Sequence, residues 1–178
     1  MKRLLGLLVM MVVAVPVAAT AHGPTRLKLI ETVDINAPAD AVWAKIKDFG
    51  NMQAWHPAVA EDKAEGGNAP GATRTLVLKG GGEIKEKLEK YNEAEKSYFY
   101  RITEVDPKVL PVTNYASWIT VKDNGSGGST VEWKGGFYRG DPGNVPPPEL
   151  NDDAAKKAVQ GVYRSGLDNL KKIVEGGK

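Results

Sequence analysis

Apolar and polar positions alternate along most of the middle of the chain, and a period of two marks β-strands. Residues 27–35 place Leu27, Leu29, Val33 and Ile35 on one face with Glu31 among them, while Lys28, Thr32 and Asp34 take the other and Ile30 blurs the pattern. Residues 58–62, 73–78, 84–91, 97–105, 115–121 and 130–138 read as six further strands. Arg74 falls on a face with Leu76 and Leu78, Glu86 with Ile84 and Leu88, and Val131, Trp133 and Phe137 share a face on the last strand. Tyr98, Tyr100 and Ile102 oppose Phe99, Arg101 and Thr103. The segments 65–71, 80–82, 107–111 and 124–128 have turn composition, rich in the residues that reverse a chain.

Two regions follow the helical period instead. From Pro38, placed at the first helical position with Asp40 near the positive dipole end, Val42, Trp43 and Ile46 form an apolar stripe that Phe49 closes. Gly50 suits the left-handed residue that ends a helix, Asn51 suits the cap of a second short helix, and Pro57 stops it. Trp55 and His56 are thereby delivered to a helix-to-strand corner. They read either as a core plug with the histidine facing water, or as pocket-lining residues. After a proline-rich connector at 141–148, Asn151 caps a long helix with Asp152 and Asp153 in its first turn. Its apolar face is Ala155, Ala158, Val159, Val162, Gly166, Leu170, Ile173 and Val174. Gly161 and Gly166 each cost about 1 kcal/mol relative to alanine inside a helix. They are either tolerated or make room for close approach to the sheet or for a ligand.

The order is strand, two short helices, six strands and one long helix. That is an α+β pattern: a curved antiparallel sheet of about seven strands wrapped around the C-terminal helix, the only element long enough to cover its apolar face. A strongly curved sheet gripping one helix leaves a space between them.

The N-terminus changes the picture of where the domain begins. Met1-Lys2-Arg3, the apolar run 4–17 and Ala19-Thr20-Ala21 make residues 1–21 a secretory signal peptide, too short in its apolar part for the ~20 residues of a spanning helix. The exported form is expected to start at His22 and to be a single domain over 22–178, without a membrane anchor. Without Lys2 and Arg3, the 24 basic residues fall to parity with the 22 acidic ones. A neutral chain gives no reason to expect a nucleic acid or an anionic membrane as partner. Export without any cysteine points to a bacterial periplasm.

Ile35-Asn36-Ala37-Pro38, Val42-Trp43, Asp48-Phe49-Gly50-Asn51 and Trp55-His56-Pro57 together resemble the SRPBCC superfamily, the START-related helix-grip fold, in its polyketide cyclase/dehydrase-like branch. Gly71-Ala72-Thr73-Arg74, Glu86-Lys87-Leu88, Leu110-Pro111-Val112, Tyr115, Val131-Glu132-Trp133 and Gly166-Leu167-Asp168-Asn169-Leu170 extend the likeness over nearly all of the mature chain. The resemblance implies a helix-grip fold with a ligand cavity between sheet and helix, and no fixed activity. With the signal peptide, the chain resembles the MxaD family of periplasmic accessory proteins. That likeness implies assistance to a methanol dehydrogenase and its cytochrome c without catalysis.

The chemistry candidates are Glu31, Trp55, His56, Arg74, Glu86, Tyr100, Tyr115, Trp133 and Phe137, taken as lining the cavity. Arg74 and Glu86 lie on adjacent expected strands across the Gly80-Gly81-Gly82 turn, each on an apolar face, where a charge must be paired or wet. They are either a structural ion pair or a polar ligand anchor, and Glu31 is a candidate to extend the group. His56 is a candidate acid or base at neutral pH by residue type but has no nucleophile motif beside it. The N-terminal amine and imidazole of His22, with His56 as the other histidine, suit copper by ligand type. Two histidines and no cysteine are too few to make a metal the expectation, so no cofactor and no metal are expected. Two functions stand: a non-catalytic periplasmic accessory or hydrophobic ligand-binding protein, and a cyclase- or dehydratase-like enzyme acting on a hydrophobic small molecule.

Overall fold

The first strand, β1 (Leu27–Ile35), covers the nine residues that the alternation marks. A computed structural model describes residues 23–176, and the expected signal peptide, its cleavage site and His22 lie outside them. After β1 come α1 (Ala39–Ile46), a single 3-10 turn (Met52–Ala54), β2 (Val59–Glu65), β3 (Thr73–Leu78), β4 (Glu83–Asn92), β5 (Ser97–Val105), β6 (Val112–Asp123), β7 (Ser129–Arg139), a second 3-10 turn (Pro148–Leu150) and α2 (Asp152–Gly176). The strands form one sheet in the order β1-β7-β6-β5-β4-β3-β2, antiparallel throughout. The chain leaves the β1 edge, crosses through α1 and the 3-10 turn, enters at the opposite edge and meanders back. Register shifts in β2–β3, β4–β5 and β6–β7 are the irregularities that bend strands and increase twist, and they curl the sheet around α2. This is the helix-grip fold.

Local departures from the sequence reading have local causes. β6 begins at Val112 instead of Tyr115, because Asn114 takes a positive φ of 49° and the register shift between Thr113 and Ala116 hides the alternation there. β2 runs from Val59 to Glu65 instead of 58–62, with a shift between Val59 and Glu61. Pro38 is the residue before α1, and the helix ends at Ile46, with Lys47 after it still in the right-handed region. Gly50 is not among the residues of positive φ; it supplies space instead, since a Cβ there would lie 2.7 Å from the Ala64 Cβ. Asn51 makes no side-chain cap to the 3-10 turn. The Met52 N–H donates instead to Asp62 Oδ2 at 3.0 Å, so the cap comes from a strand.

Asn151 does cap α2, its Oδ1 accepting the Ala154 N–H at 2.9 Å. The helix buries Ala155, Val159, Tyr163, Gly166, Leu167 and Leu170, a stripe at three- and four-residue spacing. Tyr163 and Leu167 were absent from the expected face, while Ala158, Val162, Ile173 and Val174 flank it, partly buried. Side chains of α2 also satisfy the free edge of β1. Arg164 donates to the Thr32 carbonyl at 2.8 Å, Lys171 donates to the Asp34 carbonyl at 2.7 Å, and Glu175 accepts the Asn36 N–H at 2.8 Å. Covering an edge in this way blocks its pairing with another chain.

The two helix glycines differ. A Cβ on Gly161 would meet nothing, whereas on Gly166 it would come within 2.6 Å of His56 Cδ2 and 2.9 Å of Trp133 Cζ3. Gly166 is where the helix presses onto the sheet. Gly161→Ala is therefore expected to raise stability by about 1 kcal/mol through helix propensity alone. Gly166→Ala should lower it by about 1–3 kcal/mol, because overpacking outweighs the same gain. Denaturant titration of both variants checks the pair; equal gains would contradict the close approach.

Candidate ligand cavity

Between the concave face of the sheet and the middle of α2 lies a cavity of about 80 Å³. Its wall is mostly apolar, including Met52, Val59, Leu76, Ile84 and Leu110, and four polar or ionisable side chains face it: His56, Glu86, Tyr100 and Tyr115. The volume is several times the roughly 10–15 Å³ that admits one water and well below the ~300–1,000 Å³ of sites for drug-sized ligands. In this form it admits a molecule of only a few heavy atoms.

His56 is delivered by the 3-10 turn, as the Trp55-His56-Pro57 corner requires, and is 2 % exposed. Its Nε2 lies 3.0 Å from the Val162 carbonyl and its Nδ1 accepts the Ala58 N–H at 3.3 Å. A carbonyl only accepts and an amide N–H only donates. The ring is therefore the neutral tautomer with its hydrogen on Nε2, and both nitrogens are occupied. Burial lowers its pKa below the ordinary 6.5, partly offset by the Val162 carbonyl, while nearby Arg74 lowers it further. Trp133 packs edge-on against the ring at 6.0 Å.

Behind the cavity wall sits Arg74, 2 % exposed. It pairs with Glu86, Nε to Oε2 at 2.7 Å and Nη2 to the same oxygen at 2.6 Å, and its Nη1 donates to the Phe49 carbonyl at 2.6 Å. Arg74 Nη1 is 4.0 Å from Asp62 Oδ2, and the guanidinium lies over the rings of Phe49 at 4.1 Å and Tyr100 at 5.2 Å. Burial opposes its charge, but Glu86 and its other neighbours more than compensate, so the guanidinium stays protonated. Burial raises the Glu86 and Asp62 carboxyls, and Arg74 pulls both back. The group welds β2, β3 and β4 to the 48–57 stretch.

A chain of hydroxyls starts at the cavity wall, at Tyr100 and Tyr115, and runs on to Tyr163 and Ser117. Trp133 Nε1 donates to Tyr100 Oη at 3.1 Å. Tyr100 and Tyr115 hydroxyls are 3.4 Å apart, Tyr115 and Tyr163 2.7 Å, and Tyr163 and Ser117 2.9 Å. Ser117 Oγ donates to the Lys134 carbonyl at 2.9 Å. Burial raises the pKa of Tyr100, Tyr115 and Tyr163, so all three phenols are neutral at physiological pH. Gly135 makes space for the Tyr163 hydroxyl, which a Cβ there would strike.

Of the nine candidate residues, His56, Glu86, Tyr100, Tyr115 and Trp133 border the cavity. Trp55 is buried behind it, 5.6 Å from Trp133, with its carbonyl accepting from Asn169 at 2.8 Å. Phe137 is buried against Tyr115, their centroids 6.1 Å apart. Arg74 touches the cavity only through its partners. Glu31 does not extend the Arg74–Glu86 group: it accepts from Gln160 at 2.8 Å and lies 3.5 Å from Arg164, fastening α2 to β1. The sequence reading missed Tyr163, Ser117 and Asp62. Tyr163 had a signal, its four-residue spacing from Val159 and Leu167, once tyrosine is counted as an amphipathic helix residue. Among the described residues, no cluster of three or more His, Cys, Asp or Glu is placed to hold a metal.

Residues 26–175 match the model of the family described as polyketide cyclase/dehydrase and lipid transport. The chain belongs to this family. Through it, the chain is a member of the SRPBCC superfamily. It is similar to the protein XoxI from Bacillus cereus, with 31 % identity over 83 % of this chain and 95 % of that one and a TM-score of 0.71. A protein from Nitrosospira multiformis shares 25 % identity over 85 % of this chain and 100 % of that one, with a TM-score of 0.68. Norcoclaurine synthase from Thalictrum flavum, at 16 % identity over 94 % of this chain and 97 % of that one and a TM-score of 0.65, shares the fold alone. No curated protein matches the chain. In this polyketide cyclase/dehydrase and lipid transport domain, the cavity is the space expected between sheet and helix, and it is narrow.

Two outcomes test the electrostatics. Glu86→Ala strands the Arg74 guanidinium and should cost about 3–5 kcal/mol, whereas Arg74→Met combined with Glu86→Leu should cost less than that single change, because the close-contact pair leaves together and only Asp62, 4.0 Å away and still accepting the Met52 N–H, loses its cation. Equilibrium unfolding of the two variants decides it. The lowered pKa of His56 has a definite sign: the unfolded chain binds its proton first as pH falls. Its contribution is therefore whole above about 6.5 and is lost below that, at up to about 1.4 kcal/mol per pH unit, until the folded-state pKa is reached. Unfolding free energies between pH 7.5 and 5.5 should show this slope in wild type and a flatter one in His56→Gln.

Proposed function

We propose that this protein works by binding and not by turnover: a periplasmic accessory protein with a cavity for a small apolar ligand, serving a methanol dehydrogenase and its cytochrome c. The observation that carries the non-catalytic part is the commitment of His56. A general acid or base needs an atom free to reach the substrate, yet both His56 nitrogens are engaged by backbone, and Glu86 is held through Oε2 by the Arg74 guanidinium. Family membership supports a hydrophobic ligand. The periplasmic location rests on the N-terminal sequence, and the methanol-oxidation partner rests on the likeness of motifs to the MxaD family.

The partner surface would lie on loops, which carry function on a rigid scaffold. The segments 107–111 and 141–148 are the candidates, since proline-stiffened chain loses less entropy on docking. Val145 is 92 % exposed, and Arg139 fastens the base of its loop by donating to the Asp141 carbonyl at 2.8 Å and the Gly143 carbonyl at 2.6 Å. The second reading, a cyclase- or dehydratase-like enzyme, draws on the family description.

Purified protein added to a methanol dehydrogenase–cytochrome c assay is expected to increase electron transfer. Deleting residues 144–148 should abolish the increase, and His56→Gln should retain it. No stimulation by wild type, together with turnover of a cavity ligand that depends on His56 or Glu86, would favour the enzyme instead.

A further inference from the structure

The hydroxyl chain has a direction, and the direction selects a ligand. An indole N–H only donates and a backbone carbonyl only accepts, so the two ends fix every hydrogen between them. Ser117 gives its hydrogen to the Lys134 carbonyl and must accept from Tyr163. Tyr163 then accepts from Tyr115, Tyr115 from Tyr100, and Tyr100 from the Trp133 N–H. Four links measure between 2.7 and 3.1 Å, but Tyr100 to Tyr115 measures 3.4 Å, at the outer limit for two hydroxyls, whose usual separation is about 2.7–2.8 Å. Both tyrosines border the cavity.

We propose that this link is a binding site for the hydroxyl of a small, neutral, apolar alcohol or phenol. The proposal rests on the ligand-binding reading above and names the ligand class for that cavity. An oxygen about 2.8 Å from both phenols bridges them with the tyrosines left in place. It accepts the Tyr100 hydrogen and donates its own to the Tyr115 oxygen, whose hydrogen is already given to Tyr163. The hydrocarbon part lies against the apolar wall. Other groups fit less well. A carbonyl or ether accepts from Tyr100 but cannot donate to Tyr115. An ammonium leaves the Tyr100 hydrogen without an acceptor, and an unmade buried hydrogen bond is costly. A carboxylate faces Glu86, whose nearest cation, Arg74, is already paired. The cavity of about 80 Å³ limits the ligand to a few heavy atoms.

The test is titration of the purified protein with butan-1-ol, pentane, butanone, butylamine and butanoate, following the Trp133 indole N–H by NMR and affinity by calorimetry. Butan-1-ol is expected to bind at least tenfold more tightly than the other four and to shift the Trp133 signal. Tyr100→Phe and Tyr115→Phe should each reduce that preference over pentane to less than threefold while pentane still binds. Equal binding of butan-1-ol and pentane by wild type would overturn the hydroxyl site and leave the apolar cavity standing. Binding of none of the five would overturn both the site and the ligand-binding reading.

Discussion

A guanidinium sealed inside an aromatic shell is the constraint on which much of this fold depends. Arg74 cannot be left uncompensated, because an ion removed from water costs several kcal/mol unless its partners are placed well. Those partners come from separate elements: Glu86 on the next strand, Asp62 on the edge strand and the Phe49 carbonyl in the segment after α1. Satisfying one charge therefore fixes three strands and a loop at once. Asp62 has a second task, since its other contact caps the 3-10 turn at Met52. That turn is what presents Trp55 and His56 to the helix.

The same geometry explains why the cavity is small and its polar groups are quiet. His56 reaches across to the Val162 carbonyl, so sheet-side loop and helix are joined through an imidazole. Gly166 lets the helix come close enough for that bond. Trp133 stacks on Tyr163 with centroids 4.5 Å apart and planes 14° apart, closing the gap further. The hydroxyls beside the cavity are hydrogen-bonded in a row with a defined direction. In the binding reading proposed above, a site built this way holds and orients a neutral molecule. Catalytic members of a fold differ from binding members in the freedom of such groups, which is why fold alone assigns no activity.

Much of the architecture was legible in the linear pattern. Seven strands, the order of elements and the long covering helix follow from local rules: alternation, turn composition, and a cap at Asn151 that depends on residues three positions apart. β1, β3 and β5 keep their expected bounds, although Ile30 blurs the alternation of β1, while β6 was cut short where Asn114 disturbs the pattern. The pairing of Arg74 with Glu86 was legible for the same reason: the two lie opposite each other across one hairpin. The partners of Glu31 were not, because Gln160 and Arg164 lie more than a hundred residues away on α2.

The sequence by itself determined which faces are apolar, where the chain turns and that the sheet must close on a helix, since these depend on near neighbours and on the burial of hydrocarbon. Only the tertiary structure decided what the buried polar groups do. Whether His56 is a free base or a committed donor depends on a carbonyl at Val162. The direction of the hydroxyl chain depends on Trp133, Tyr100, Tyr115, Tyr163 and Ser117, drawn from three strands and a helix. A hydrogen bond is set by distances of tenths of an ångström and by which atom carries the hydrogen, and neither is written in the order of residues until the helix is seated on the sheet.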